Sequence, residues 1–303
     1  MTAGLHHAPV LLHETLALLA PRDGGLYADT TLGSAGHAEA ILEASSPTGR
    51  LIGIDRDPRA VARARETLAS FGDRAEIFHG EMGQVGGILA RAGVDRVDGL
   101  VADLGISSVQ LDDPERGFSF AHSGPIDMRM DTSCGETAAE LIDRLGAEDL
   151  ANLIHALGEE RRSRAIARSI KRAAEAGELA TTEDLRHAVV RAVGPRRGRI
   201  DPATRTFQAL RIAVNDELEQ LSALVQGLAD VLVDGGVAAV ISFHSLEDRI
   251  VKHGFRGDPH LEPLTKRPLR ATEGERVENP RSRSAKLRAA RRRPRAHPAE
   301  DGE

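Results

Sequence analysis

The chain has 303 residues, 41% apolar and 28% charged, a balance that excludes a largely disordered polypeptide and leaves room for an α/β domain plus a smaller one. A single cysteine, Cys134, excludes a disulfide framework and a cysteine-built metal centre; no metal is expected, and a reducing cytoplasm is the expected setting. No apolar run reaches membrane-spanning length, and the formal charge of -6 would argue against nucleic acid if it were evenly spread, which it is not.

His7-Ala8-Pro9-Val10-Leu11-Leu12 leads into a leucine-rich segment ending near Pro21, read as a helix started by Pro9. Leu26 to Ala28 reads as a short buried strand, Gly33 to Gly36 as a tight loop, and His37 to Ala44 as the first turns of a helix. Arg50 to Asp55 is a second strand, ending in a carboxylate placed to take the two hydroxyls of a ribose. The loop is not the G-x-G-x-x-G fingerprint, because Ser34 and Ala35 stand where its second glycine belongs. A pyrophosphate needs close backbone approach and a free helix N-terminus, so the change counts against a nicotinamide dinucleotide. S-adenosyl-L-methionine (AdoMet) carries ribose and adenine without phosphate and tolerates it.

Asp57-Pro58 caps a helix with Val61, Ala64, Leu68 and Phe71 at helical spacing. Ala75 to His79 is a third strand, Gly83 to Ala92 a further helix, and Val97 to Leu104 a fourth strand carrying Asp103 near its end. Such alternation predicts a parallel sheet covered on both faces, with ligands beyond the carboxyl ends of its strands, where Gly33, Asp55, Met82 and Asp103 fall. The next strand, Gly236 to Phe243, comes far later than a crossover of about a dozen residues requires.

The intervening sequence is helical. Leu150, Leu153, Ile154 and Leu157 mark one apolar face, and Leu185, Val189 and Val193 another, with Thr181 and Asp184 spaced as a capping box. Ala203 to Leu232 returns to the sheet as one long helix or two abutting ones. Ser245 is placed to cap a helix reaching about Phe255, followed by extended pieces near Leu264 to Leu269 and Ser284 to Leu287. The expected division is therefore a first sheet part at 1–110, a helical insertion at 111–205 that recognises substrate, a second sheet part at 206–290, and a basic disordered tail at 291–303. A helix and an antiparallel pair closing an α/β sheet is the pattern of class I, Rossmann-like, AdoMet-dependent methyltransferases.

Charge is concentrated near the end. From Asn279 to Pro298 no acidic residue occurs, while Arg281, Arg283, Lys286, Arg288, Arg291, Arg292, Arg293 and Arg295 are basic. Such a run is either a solvated tail or a phosphate-binding arm.

The longest distinctive block runs from Asp103-Leu104-Gly105-Ile106-Ser107-Ser108-Val109-Gln110-Leu111-Asp112 through Arg116-Gly117-Phe118-Ser119-Phe120 to Gly124-Pro125-Ile126-Asp127-Met128-Arg129-Met130-Asp131. With His7 to Leu12, Gly53 to Pro58, Pro202 to Arg211, Ile241 to Arg249 and Asn279 to Arg288, it resembles the ribosomal RNA small subunit methyltransferase H (RsmH/MraW) family nearly end to end. The resemblance implies methyl transfer from AdoMet to the N4 amine of one cytosine in the decoding region of 16S rRNA. It implies cofactor contacts at Ala35, Gly36, His37, Asp55, Met82, Asp103 and Gln110, to which the tight loop itself adds Gly33. The 16S rRNA within the small subunit is the implied partner; no membrane or protein partner is evident, and a homodimer is compatible with the chain. The family usually has glycine at the position of Ala35 and often an aromatic at Met82; alanine is expected to keep the loop only with a negative φ.

Asp103, or a nearby backbone carbonyl, is the candidate acceptor for the amine proton, with cofactor orientation as its alternative role. Ser242 and His244 at the end of the last parallel strand are candidate substrate contacts, and Arg281, Arg283, Lys286 and Arg288 candidate phosphate contacts. Phe118, Phe120 and Phe243 are candidates for stacking on the target base. The rival readings are a nicotinamide oxidoreductase and an RNA-binding assembly factor with a vestigial pocket.

Overall fold

A computed structural model describes residues 9–195 and 201–294; His7 and Ala8 of the first motif and Arg295 of the basic run lie outside the described residues. It divides into two units. One comprises the chain up to Gly105 and again from Leu218; the other is Ile106–Glu217.

The first unit begins with α1 (Leu12–Leu19), β1 (Leu26–Asp29), α2 (Gly36–Ala44), β2 (Arg50–Asp55), α3 (Pro58–Thr67), β3 (Ala75–His79), α4 (Val85–Arg91) and β4 (Val97–Asp103). The second contributes α5 (Ser108–Asp112), α6 (Ala138–Arg144), α7 (Ala147–Gly158), α8 (Ser163–Glu175), α9 (Thr182–Val193) and α10 (Thr204–Val214). The chain then returns with α11 (Glu217–Val231), β5 (Leu232–Ser242), α12 (Ser245–Gly257), β6 (Leu261–Pro263), α13 (Glu273–Glu278) and β7 (Lys286–Arg292).

Among the described residues the strands form one sheet of order β3-β2-β1-β4-β5-β7-β6. β1 to β5 are parallel, while β7 runs antiparallel to both β5 and β6. This is the class I methyltransferase arrangement that the helix and antiparallel pair predict. Both faces are buried, as the near-continuous apolar strands require. Alternate residues divide cleanly: Ala28, Ile52, Leu100 and Val240 enter one apolar layer, and Tyr27, Leu51, Val101 and Ile241 the other. Sequence order reverses where β1 lies beside β4, so the carboxyl ends of these two strands form the crevice in which open α/β sheets bind ligands.

The second unit has its own core, in which Phe118, Ile126, Ile154, Ile166, Ile170, Leu185, Val189, Phe207 and Leu210 are buried together. The Thr181 and Asp184 capping box is present: the Thr181 hydroxyl accepts from the Asp184 amide, and the Asp184 carboxylate accepts from the Thr181 amide at 2.9 Å. Phe118 belongs to this core, and Phe120 meets Phe207 edge-on at 5.0 Å.

Several expected boundaries move. The helical unit spans 106–217 rather than 111–205, because α10 places Phe207 and Leu210 in the helical core and so belongs to the insertion. Of the two arrangements open for Ala203 to Leu232, the chain takes the second, two abutting helices α10 and α11. The first extended piece is β6 at Leu261–Pro263, with Leu269 only bridging to Leu287. The second continues to Arg292, past the expected start of the tail at 291, because Arg292 is buried and paired with Asp234. The cap of α12 is His244 rather than Ser245; its ring accepts from the Glu247 amide while Glu247 accepts from the His244 amide.

Candidate cofactor and acceptor site

The site assembles where parallel strands end. β1, β2 and β4 each finish on an aspartate, Asp29, Asp55 and Asp103; Asp29 pairs with Gly53 and Val101, so Asp55 and Asp103 stand two positions beyond it at the same rim of the sheet. The following turn is tied to both neighbouring strands. The Thr30 amide donates to the Val101 carbonyl at 3.0 Å, the Leu32 amide to Ile54 at 3.2 Å, and the Asp103 amide to the Thr31 hydroxyl at 2.6 Å.

Asp55 organises the loop. One carboxylate oxygen accepts from the Gly33 amide and the other from the Asp57 amide, both at 2.8 Å. Each oxygen keeps a second lone pair, so the group retains capacity for a diol. Gly33 has φ 52°, and Ala35 also lies in the left-handed region at φ 66°, so the expectation of a negative φ at Ala35 is overturned. The Ala35 amide donates to the Leu32 carbonyl at 2.6 Å, and this closed turn imposes the conformation. At Gly36 any Cβ would stand 2.4 Å from the Pro9 ring. Ala35 precedes α2 without a side-chain cap, leaving the helix's first N–H groups without a side-chain acceptor there.

Ala35 is fully buried, so its substitution is a test of the loop. Ala35→Val is expected to destabilise the protein by about 2–4 kcal/mol, combining left-handed strain on a β-branched residue with overpacking. Ala35→Gly should change stability by less than about 1 kcal/mol, since relief of strain offsets lost burial and added chain entropy. Thermal unfolding of the two variants checks both values.

His37 is 6% exposed; its Nε2 lies 3.1 Å from the Val10 carbonyl and its Nδ1 faces the Asp103 carboxyl at 3.9 Å. Burial pushes its pKa down to about 4, so the ring is neutral near pH 7. Burial and the neighbouring Asp55 push Asp29 up to about 7. Burial, with Asp29 and Glu247 nearby, holds Asp103 well above the ordinary carboxylate range, and burial raises Asp55 as well. One Asp103 oxygen, Oδ1, is buried with no hydrogen-bond partner among the described residues.

Met82 opens a short 3-10 turn after β3 and packs partly against the apolar layer, at the same rim. Gln110 lies in the second unit, 6% exposed, where its side chain closes the capping box of α5 with Ser107; the structure thus gives it a local role. Asp29 and Thr31 are site residues that the motif reading missed. The signal was present: a carboxylate ending β1 has the same standing as those ending β2 and β4.

The expected substrate residues separate. Ser242 is buried and turns its hydroxyl onto the Lys286 carbonyl at 3.4 Å. His244 serves the α12 cap through Nδ1, and its Nε2 stands 3.0 Å from a Glu247 carboxyl oxygen. Arg288 is not an arm: it is buried in β7 and donates to Asp248 at 2.7 Å, and Lys286 lies 3.4 Å from the same carboxylate. Burial alone would raise Asp248, yet these two cations hold it below its ordinary value. Arg281 and Arg283 lie in a 3-10 turn before β7, with Arg283, Arg291 and Arg293 exposed. Among the described residues, no helix is long and apolar enough to cross a membrane.

The sequence profile of the MraW methylase family matches residues 4–293. A protein named ribosomal RNA small subunit methyltransferase H from Sorangium cellulosum is 61% identical over 290 residues, covering 95% of this chain and 91% of the relative. Proteins of the same name from Halorhodospira halophila and Geobacter sulfurreducens are 51% and 50% identical, each covering 94% of this chain and respectively 94% and 98% of the relative.

Proposed function

From the premise that this chain belongs to the MraW methylase family, we propose that it transfers a methyl group from AdoMet to the N4 amine of one cytosine in the decoding region of 16S rRNA. The observation that carries the cofactor assignment is the row of strand-end carboxyl groups Asp29, Asp55 and Asp103, with the buried Asp103 Oδ1 lacking a donor. A ligand completing that row must bring positive charge and hydrogen-bond donors. AdoMet brings an ammonium, a sulfonium and a ribose diol beside its single carboxylate, whereas a nicotinamide dinucleotide brings two phosphate charges to a rim of carboxyl groups.

When bound, AdoMet supplies an electrophilic methyl group. Asp55 would take the ribose hydroxyls, Met82 would lie against the adenine, and the Gly33 to Gly36 turn would admit the ligand close to backbone. Alignment of amine and methyl group is where such a site gains most, about 7–11 kcal/mol in favourable cases. The cytosine amine is a weak nucleophile because its lone pair is delocalised into the ring. Asp103 would accept a hydrogen bond from that amine and then its proton, a contribution of about 10² to 10⁴ in rate.

The rRNA backbone is held by exposed cations rather than by Arg288. Arg283→Ala should weaken binding of 16S rRNA and reduce the slope of log affinity against log salt by about 0.7, the share of one single-strand phosphate. Arg288→Ala should instead destabilise the protein by about 1–3 kcal/mol, because it leaves the partly buried Asp248 with Lys286 alone. Salt titration of RNA binding and thermal unfolding separate the two outcomes.

The function is tested by offering methyl-labelled AdoMet with small ribosomal subunits lacking the modification, beside large subunits and naked 16S rRNA. Label confined to 16S rRNA supports the assignment. Label in the large subunit alone, or none, contradicts it.

A further inference from the structure

The His37 ring fixes the protonation of its surroundings. Its Nε2 lies 3.1 Å from a carbonyl oxygen, which can only accept, so Nε2 carries the ring proton and Nδ1 is left as a lone-pair acceptor. That lone pair faces Asp103 Oδ2 at 3.9 Å, inside a residue only 6% exposed. No other partner reaches Nδ1 among the described residues. Asp103 Oδ1, buried, has no donor either. The Asp103 side chain is 26% exposed, yet an ionised Asp103 would set acceptor against acceptor at 3.9 Å on one side and leave Oδ1, cut off from solvent, as an unsatisfied anionic oxygen on the other.

Every other group acting on Asp103 works in the same direction. From β1 comes Asp29, 1% exposed; from α12 comes Glu247, 2% exposed; both are carboxyl groups. Asp55 acts on Asp29 in turn, and His37 on α2 is neutral. His244 is engaged with Glu247. No cation acts on Asp103 from any of these elements.

We propose that Asp103 holds a proton in the cofactor-free protein and surrenders it to solvent when the sulfonium-bearing methyl donor binds, so that the proton acceptor is created by the cofactor. This inference rests on AdoMet being the cofactor. It closes the proton balance of the cycle. The C–S bond breaks with its electron pair going to sulfur, the amine nitrogen forms the new C–N bond from its lone pair, and the amine proton passes to Asp103. The product is then a neutral thioether beside a protonated Asp103, the state from which the next cofactor again expels one proton. The net reaction releases one proton per methyl group, as exchange of a sulfonium for a thioether requires. A target amine arriving before the cofactor meets no base.

The test is calorimetric titration of AdoMet into the intact protein in two buffers of different ionisation enthalpy, phosphate and imidazole, between pH 6 and 7. There the ligand's own amino group remains charged. The expected result is release of about one proton per AdoMet bound, with affinity rising about tenfold per pH unit while Asp103 remains protonated in the free protein. Infrared difference spectra should show a protonated carboxyl stretch that AdoMet abolishes. Asp103→Asn should remove that band and most of the proton release. Binding with equal heats in both buffers overturns the inference and leaves the cofactor assignment standing. Release that persists in Asp103→Asn but vanishes in Asp29→Asn also overturns it, by placing the proton on Asp29. Absence of AdoMet binding overturns the cofactor reading, and this inference with it.

Discussion

Replacing Asp55 by alanine is expected to weaken AdoMet binding by two to three orders of magnitude. A charge-assisted hydrogen bond is worth about 1.5–3 kcal/mol, and a ribose diol offers two, so about 3–4 kcal/mol of binding is at stake. The same carboxylate also accepts from the Gly33 and Asp57 amides at 2.8 Å, and its loss leaves both donors unsatisfied beside a left-handed turn. The turn is therefore expected to loosen as well, with a fall in thermal stability of the cofactor-free protein. Asp55→Asn separates the two effects. Its amide oxygen can still serve one backbone donor, whereas its NH2 group opposes the other, so affinity should suffer more than the fold. Calorimetric titration with AdoMet, beside thermal unfolding of each variant, checks this; a change in affinity below about fivefold in Asp55→Ala contradicts the ribose assignment.

Asp103→Asn carries the second large effect. Turnover is expected to fall by about 10² to 10⁴, the contribution of a positioned proton acceptor, while AdoMet affinity stays within about tenfold. The affinity change is small because the amide loses attraction for the cation but no longer has a proton to give up on binding. The cofactor-free variant should also be more stable than the parent near pH 7. Asp103 is held well above the ordinary carboxylate range by burial, Asp29 and Glu247, and burial pushes Asp29 to about 7, so the folded chain binds more protons at these groups than the unfolded chain. Their contribution is complete below the unfolded value, about 4, and is lost as pH rises through the folded values. His37, lowered to about 4 by burial, works in the opposite sense: its contribution is complete above about 6.5 and is lost as pH falls towards 4. Denaturation from pH 5 to 8 should therefore show a decline towards high pH in the parent that is shallower in Asp103→Asn. A loss confined to affinity, with turnover intact, would end the proton-acceptor role.

The parts of this architecture that depend on periodicity and strand ends were legible in the sequence. Apolar runs closing on Asp55 and Asp103 located β2 and β4, and Thr181 with Asp184 located the start of α9, because each pattern is local. Asp29 obeys the same rule, but β1 is only four residues long and runs at once into the glycine loop, whose turn signal masks the strand end. The features that stayed hidden depend on partners distant in sequence. Arg288 looks like one member of a basic run, and only its pairing with Asp248 across forty residues removes it from the surface. Arg292 is drawn into β7 by Asp234 in the same way. The three residues of β6 are too few, and end in a proline, to register as a strand by alternation. The left-handed Ala35 runs against residue preference and follows from the turn that Leu32 and Asp55 close around it. The edges of the helical unit moved because α10 shares its amphipathic pattern with α11, and only the core it enters reveals which unit owns it.

The most direct measurement is nucleoside mass spectrometry of 16S rRNA, recovered from small subunits after incubation with this protein and AdoMet bearing a deuterated methyl group. The expected result is a single labelled nucleoside, a cytidine whose fragmentation retains the label on the base at N4, and its disappearance with Asp103→Asn. A label on the ribose, on another base, or at a cytosine ring carbon would contradict it.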